Sequence, residues 1–250
     1  MPQITTIDEV LDTLDGIIRQ SEENNDTAGY FAILYRIVTA RVKTGIANNE
    51  FADGARMEKL DVIFANRYID AYFAWKTGKP VTASWQKAFN ITTDYWPIVL
   101  QHLLMGMNAH INLDLGIAAA QVSANSNIND LQDDFNKINS ILSSLVEGVQ
   151  NSLAKIWPRL KWILQRTKKV DDFMVDFSMQ MARDGAWQFA LCIAGKSGTE
   201  LDKLIAERDT AVAEKSKIIT HDGFAVSLIL GIIRLGERGT VKEKIQKLLP

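Results

Sequence analysis

The sequence predicts an all-α protein, a single-domain helical bundle of about eight to ten helices packed around one long central helix. Three observations carry that prediction. Apolar residues recur at three- and four-residue intervals almost throughout, sustained two-residue alternation is hard to find, and the punctuation is that of helix starts and stops. At 250 residues, 47% of them hydrophobic and only 5 proline, the chain can bury a sizeable core. No repeat and no long linker divides it, so one domain over residues 1–250 is expected.

The elements follow in order. Helix starts are marked by Thr5 with Asp8 three residues on, by Asp26 or Thr27 before GYFAILYRIVTARVKTGI, and by Asp53 before GARMEKLDVIFANRYIDAYFAWKTG. Thr199 and Thr240 open two more near the C-terminus. Stops fall at Gly78 with Pro80, at Gly195 and Gly198, and at Gly236 with Gly239. The conspicuous polar loop is VSANSNINDLQ, near 122–132, its most polar part at 122–130, and the DD of DLQDDFNK reads as a helix start. Pro158 either kinks a helix or sits in the first turn of a new one. The longest helices are expected at roughly 28–46, 54–76 and 97–121. Side chains projecting from long buried helices are how bundles build polar sites.

A formal charge of -2 gives no global attraction to nucleic acid or to an anionic membrane, and favours a small molecule or a protein as partner, with a small-molecule ligand expected. The basic stretch KIWPRLKWILQRTKK does not gather its charges on one stripe and reads as a solvated face. No apolar run approaches the roughly 18–20 uncharged residues of a membrane span, and the N-terminal MPQITTIDEVLDTLDG lacks the pattern of a secretory signal, so a cytoplasmic protein is expected. The single cysteine, Cys192 in WQFALCIAG, excludes an internal disulfide and multi-cysteine metal sites; its apolar neighbours predict a buried, inert thiol.

Within the central helix, HLLMGMNAHINLDLG sets two histidines, two asparagines and an aspartate in an apolar run. Buried polar groups need partners, so the run is either a site or a structural device. At about 100° per residue, His102, His110, Asp114 and Gln121 fall within about 120° of each other, with Gln101, Asn108 and Asn112 on a second stripe. His110 and Asp114, four apart, can act together as a general base or as two ligands of a divalent metal ion. His102 stands roughly 12 Å from His110 along the axis and cannot share one ion with it. A catalytic group of His110, Asp114 and His102 opening onto one pocket is the sharper expectation, and a satisfied structural network the plainer one. Asn108 and Asn112 either bond across a helix interface or hold substrate.

On the neighbouring helices Asp61, Phe64 and Tyr68 share a face, placing a carboxylate among aromatic residues. Arg67 and Arg36 are the candidate partners of Asp61 or clamps for an anionic group, and Tyr35, Thr39 and Tyr68 could supply hydroxyls. Arg183 and Trp187, four apart, either line one cavity or stack on each other, and His221 beside Asp222 is expected to be a capping or surface residue. The phosphate-loop, dinucleotide, nucleophile-elbow, HExxH and DDxxD signatures are absent from the sequence.

HLLMGMNAHINLDLG, with LYRIVT, FADGARMEKLDVIFANRY and SWQKAF, resembles a bacterial family known as a domain of unknown function, over roughly residues 30–190. The resemblance implies that Arg36, Asp61, Arg67, His102, Asn108, His110, Asn112 and Asp114 are the family's motif residues, with Met105 in place of a leucine. A weaker similarity, of helical fold and His-x-x-x-Asp pattern, links the chain to zinc phospholipases C and single-strand nucleases. It lacks the further histidines of those sites. The expectation is a small-molecule enzyme, hydrolytic in type, using His110 and Asp114 with His102. Arg36, Asp61, Arg67, Tyr68, Asn108 and Asn112 are the candidate substrate contacts, and a noncatalytic ligand-binding protein is the alternative.

Overall fold

The computed structural model describes residues 4–157, 179–220 and 223–248. Pro158, most of the basic stretch and His221 lie outside the described residues. Eleven α-helical segments are described: α1 (Ile7–Asn24), α2 (Gly29–Ala47), α3 (Gly54–Lys76), α4 (Ala83–Asn90), α5 (Val99–Ala109), α6 (Leu115–Val122), α7 (Gln132–Ile156), α8 (Met179–Ile193), α9 (Gly198–Thr220), α10 (Gly223–Gly236) and α11 (Val241–Leu248). The number exceeds the expected eight to ten because the central helix counts twice. Between α5 and α6 the rod widens into a π-helical turn, His110–Asp114, where the Leu115 amide donates to the His110 carbonyl five residues back. A π turn shifts the phase of everything beyond it, and such turns collect at functional sites. Gln121, which a uniform helix sets beside Asp114, is accordingly exposed.

The local signals explain most helix ends. At α1 the reciprocal capping box uses Thr6 and Glu9 rather than Thr5 and Asp8, because Glu9 reaches back to the amides of both Thr5 and Thr6. Asp53 caps α3 through the Arg56 amide, and Thr240 and Glu243 form the box of α11. The α2 N-terminus has no side-chain cap on its N-cap residue, Ala28; Asp26 instead accepts from the Ala28 amide. Gly78, Gly195, Gly198 and Gly239 take positive φ, as the turns between helices require.

Three helix starts, that of α3 among them, are also met by carboxylates from distant elements. Asp134 of α7 accepts from the Ala52 and Asp53 amides and from Arg56, at 2.6, 3.1 and 2.9 Å. Asp209 of α9 accepts from the Ala83 and Ser84 amides at α4, and Glu237 from the Val99 amide at α5. An anion at a helix N-terminus meets unpaired amides and the positive end of the dipole, so each contact fixes one helix against another.

The α5–π–α6 rod runs through the middle. Packed against it are α2, α3, α4, α8 and α9, while α1 and α11 close the outside of α2. Two glycines let the rod be approached closely. A Cβ on Gly106 would lie 2.3 Å from the Phe31 ring, and one on Gly116 would lie 2.8 Å from the Ala186 carbonyl. Among the described residues no helix is long and apolar enough to cross a membrane.

Cys192 overturns its expectation, for it is exposed. On α8 the core-facing residues are Ala186, Phe189, Ala190 and Ile193, and Cys192 falls on the opposite side. Apolar neighbours in sequence do not bury a residue when the helix turns it outward.

Candidate functional site

His110 and Asp114 sit at the two ends of the π turn, 2% and 1% exposed. His110 Nδ1 lies 3.2 Å from Asp114 Oδ2. The same carboxylate accepts from Trp85 Nε1 at 2.8 Å, through Oδ2, and from Arg67 Nε at 2.6 Å, through Oδ1. Hydrogen bonds from His110 and Trp85 and the Arg67 charge outweigh burial and hold the Asp114 carboxyl below its ordinary range. Burial, the largest influence on His110, pushes the imidazole below its usual range in spite of Asp114, so the ring is neutral at neutral pH. With Asp114 ionised, the Nδ1 proton faces it and Nε2 keeps its lone pair. That Nε2 atom is buried and has no hydrogen-bond partner.

The imidazole forms part of the wall of a cavity of about 490 Å³ between α2, α3, the central rod and α7. The lining is dominated by apolar side chains, among them Leu34, Val38, Leu60, Leu103, Leu104 and Met107, with Leu142, Leu145, Val149 and Leu153 from α7. Phe64 is stacked on the His110 ring with centroids 3.5 Å apart, and the Tyr35 ring meets it edge-on at 4.5 Å. Asp61, one turn before Phe64, lines the same cavity and leaves Oδ2 buried without a partner. Burial, reinforced by Glu58, pushes the Asp61 carboxyl up to about 8, so it is a neutral acid at pH 7. The residues lining the cavity therefore include a neutral histidine, a protonated carboxyl and a tyrosine, whose Nε2, Oδ2 and hydroxyl atoms are buried without hydrogen-bond partners.

Several sequence expectations fall elsewhere. His102 does not open onto this cavity: it lines a separate crevice of about 10 Å³ with Tyr68, Trp85 and Thr92. Its ring packs edge-on to Tyr30, and burial, with Arg234 and Lys244, lowers its pKa to about 3. Eight residues of helix carry it past the Phe31 ring, which lines both spaces. Tyr68 belongs to that crevice too, because four residues beyond Phe64 it reaches past the cavity. Arg36 is taken by Asp15 of α1 at 2.6 Å on a half-exposed face, and Arg67 by Asp114, so neither pairs with Asp61.

The second polar stripe docks α9. Gln101 Nε2 donates to the Ile219 carbonyl, Asn108 Nδ2 to the Val212 carbonyl, Asn112 Nδ2 to Asn108 Oδ1, and Arg208 Nε to the Asn112 carbonyl. These groups satisfy one another across a helix interface. They are not among the residues that line the cavity.

The residues present do not fit the divalent ion considered for His110 and Asp114. Asp114 spends its oxygens on Arg67, Trp85 and His110, and among the described residues no group of three or more His, Cys, Asp or Glu is placed to hold a metal. Trp85 had no signal in the sequence as a partner of Asp114. A buried indole needs an acceptor, but only the tertiary structure says which.

Fold and site together define an all-α helical protein with a buried His–Asp dyad on the wall of an apolar cavity. Residues 7–222 match the Family of unknown function (DUF5995), and the chain belongs to that family. No curated protein and no solved structure matches it.

Proposed function

We propose that the protein is a small-molecule hydrolase that takes a largely apolar substrate into the cavity and activates water at His110. The single observation behind the proposal is the unpartnered, buried Nε2 of a neutral His110 whose other nitrogen is committed to Asp114. A cavity of about 490 Å³ lies within the roughly 300–1,000 Å³ typical of small-molecule sites.

For an ester, Nε2 takes a proton from water as the water oxygen bonds to the carbonyl carbon. The carbonyl oxygen gathers negative charge and accepts from the Asp61 carboxyl or the Tyr35 hydroxyl. Collapse of the tetrahedral adduct breaks the ester C–O bond, and the leaving oxygen takes the proton back from the imidazolium, giving acid and alcohol. Asp114 stabilises the imidazolium between the two transfers, and Arg67 with Trp85 holds that carboxylate in place.

Turnover of p-nitrophenyl esters of graded acyl length tests the reading. A His110→Ala protein of native circular dichroism should lose the activity; an equally active variant would sink the proposal. Noncatalytic binding is the second reading, favoured by the Phe64 ring that covers one face of the imidazole. Ligand binding that persists without any His110-dependent turnover would select it.

A further inference from the structure

Among the described lining residues there is no lysine or arginine; Arg36 is bound to Asp15, and Arg67 is bound to Asp114 and is not part of the lining. The lining residues whose polar atoms lack hydrogen-bond partners are His110, with Nε2 an acceptor, and Asp61 and Tyr35, which carry donors; these atoms lie just behind the apolar surface. Gln150, an exposed lining residue of α7, is uncharged as well. An anionic head group placed here would leave water with no opposite charge to meet it, and burying an unpaired charge is among the most unfavourable events in a protein interior. An ester carbonyl or an alcohol, by contrast, matches both kinds of group. Its oxygen accepts from Asp61 or Tyr35, and an alcohol proton or attacking water donates to Nε2.

We infer that the substrate is an uncharged, long-chain oxygenated lipid, with a carboxylic ester as the reacting class and its hydrocarbon chain lying along the leucines of α5 and α7. The inference rests on the hydrolase reading of the same cavity and names its substrate class. It also gives the reaction a direction. Hydrolysis turns an uncharged ester into a carboxylate that this wall does not accommodate, and so favours release of the acid.

Competition against the uncharged dye Nile red at pH 7 tests it, with methyl laurate, dodecanol and laurate each kept below micelle-forming concentration. The two uncharged compounds should displace the dye at least ~10-fold more tightly than laurate. Laurate competing as well as dodecanol, or no compound competing, overturns the inference. Asp61→Asn, which keeps a neutral donor, should preserve the preference, whereas Asp61→Leu should weaken dodecanol. Leu104→Trp, placed to fill the cavity, should abolish competition in a protein of native circular dichroism; undiminished competition would locate the binding elsewhere and overturn the inference. The two readings fail separately. Uncharged ligands bound without His110-dependent turnover would remove the hydrolase and leave the ligand class, and His110-dependent turnover with equal binding of laurate would do the reverse.

Discussion

Arg67 Nε donates to Asp114 Oδ1 at 2.6 Å, joining α3 to the π turn of the central rod at the point where Asp114 also holds His110. The arginine is a quarter exposed and the aspartate is buried, so the pair brings a cation from the surface to a carboxylate that has left water. Arg67 thereby keeps Asp114 ionised, which fixes the proton of His110 on Nδ1.

Asp114→Asn should therefore separate orientation from charge. The amide retains the shape but leaves Arg67 without its anion and can present N–H to Nδ1, favouring the wrong tautomer. Ester turnover should fall roughly 100- to 10,000-fold, the range of general acid–base contributions. Stability should drop by about 3 kcal/mol, as when one partner of a buried pair is removed. Urea unfolding and steady-state kinetics measure the two effects; unchanged turnover would show that the dyad is structural.

Asp61 gives a pH dependence of opposite sign to an ordinary paired carboxylate. Its folded-state pKa, raised to about 8, lies above the ordinary aspartate value of 3.8, so the unfolded chain releases the proton first. The folded state binds the extra proton between those values, and the stability contribution is lost as pH rises from about 4 to about 8. The groups around it are Glu58 on its own helix, Tyr35 on α2 and His110 across the cavity. Asp61→Asn should be the more stable protein at pH 8, by a few kcal/mol, because each tenfold difference in proton affinity between the folded and unfolded chain is worth ~1.4 kcal/mol. The advantage should vanish near pH 4. Denaturant midpoints across that range that move in parallel would refute it.

His102 governs the acid limb. Its folded pKa of about 3 lies below the ordinary histidine value of 6.5, so its contribution is present above pH 6.5 and is lost as pH falls toward 3. The buried His110 is shifted in the same direction. His102→Phe should flatten the stability curve below pH 6.5 by about one proton, read from the slope of unfolding free energy against pH. An unaltered slope would mean that His102 is already protonated when folded.

Gly106→Ala should disturb both spaces at once. The new methyl would meet the Phe31 ring at 2.3 Å, and Phe31 lines both the cavity and the His102 crevice. Overpacking of this kind costs about 1–3 kcal/mol. Thermal unfolding should show the loss and Nile red binding should change with it; a neutral variant would indicate that the ring moves freely.

Cys192 should react in the native protein. One equivalent of a thiol reagent such as dithiobis-nitrobenzoate should be consumed without denaturant, since the side chain is exposed. Protection until unfolding would contradict the orientation of α8.

The helical class, the long rod and two of the caps were legible because they depend on neighbours three or four residues away. Asp53, Thr240 and the positive-φ glycines act within one turn, and the sequence shows both partners of each contact. The dyad itself was visible for the same reason: His110 and Asp114 are four apart on one helix. What failed was the choice of ion-pair partners between helices. Arg36 and Arg67 looked equally suited to Asp61, and neither reaches it, because their partners are Asp15 and Asp114.

Sequence periodicity alone determined an all-α protein with a polar central helix, since amphipathic spacing is a local property of the chain. The tertiary structure decided the rest. It inserted a π turn that uniform helical geometry does not anticipate, gave His102 and His110 different surroundings, and turned the asparagine stripe toward α9. It also left Asp61 without a cation on the wall of an apolar cavity. Burial and the identity of a distant partner set the charge state of each group, and both arise only when the helices pack.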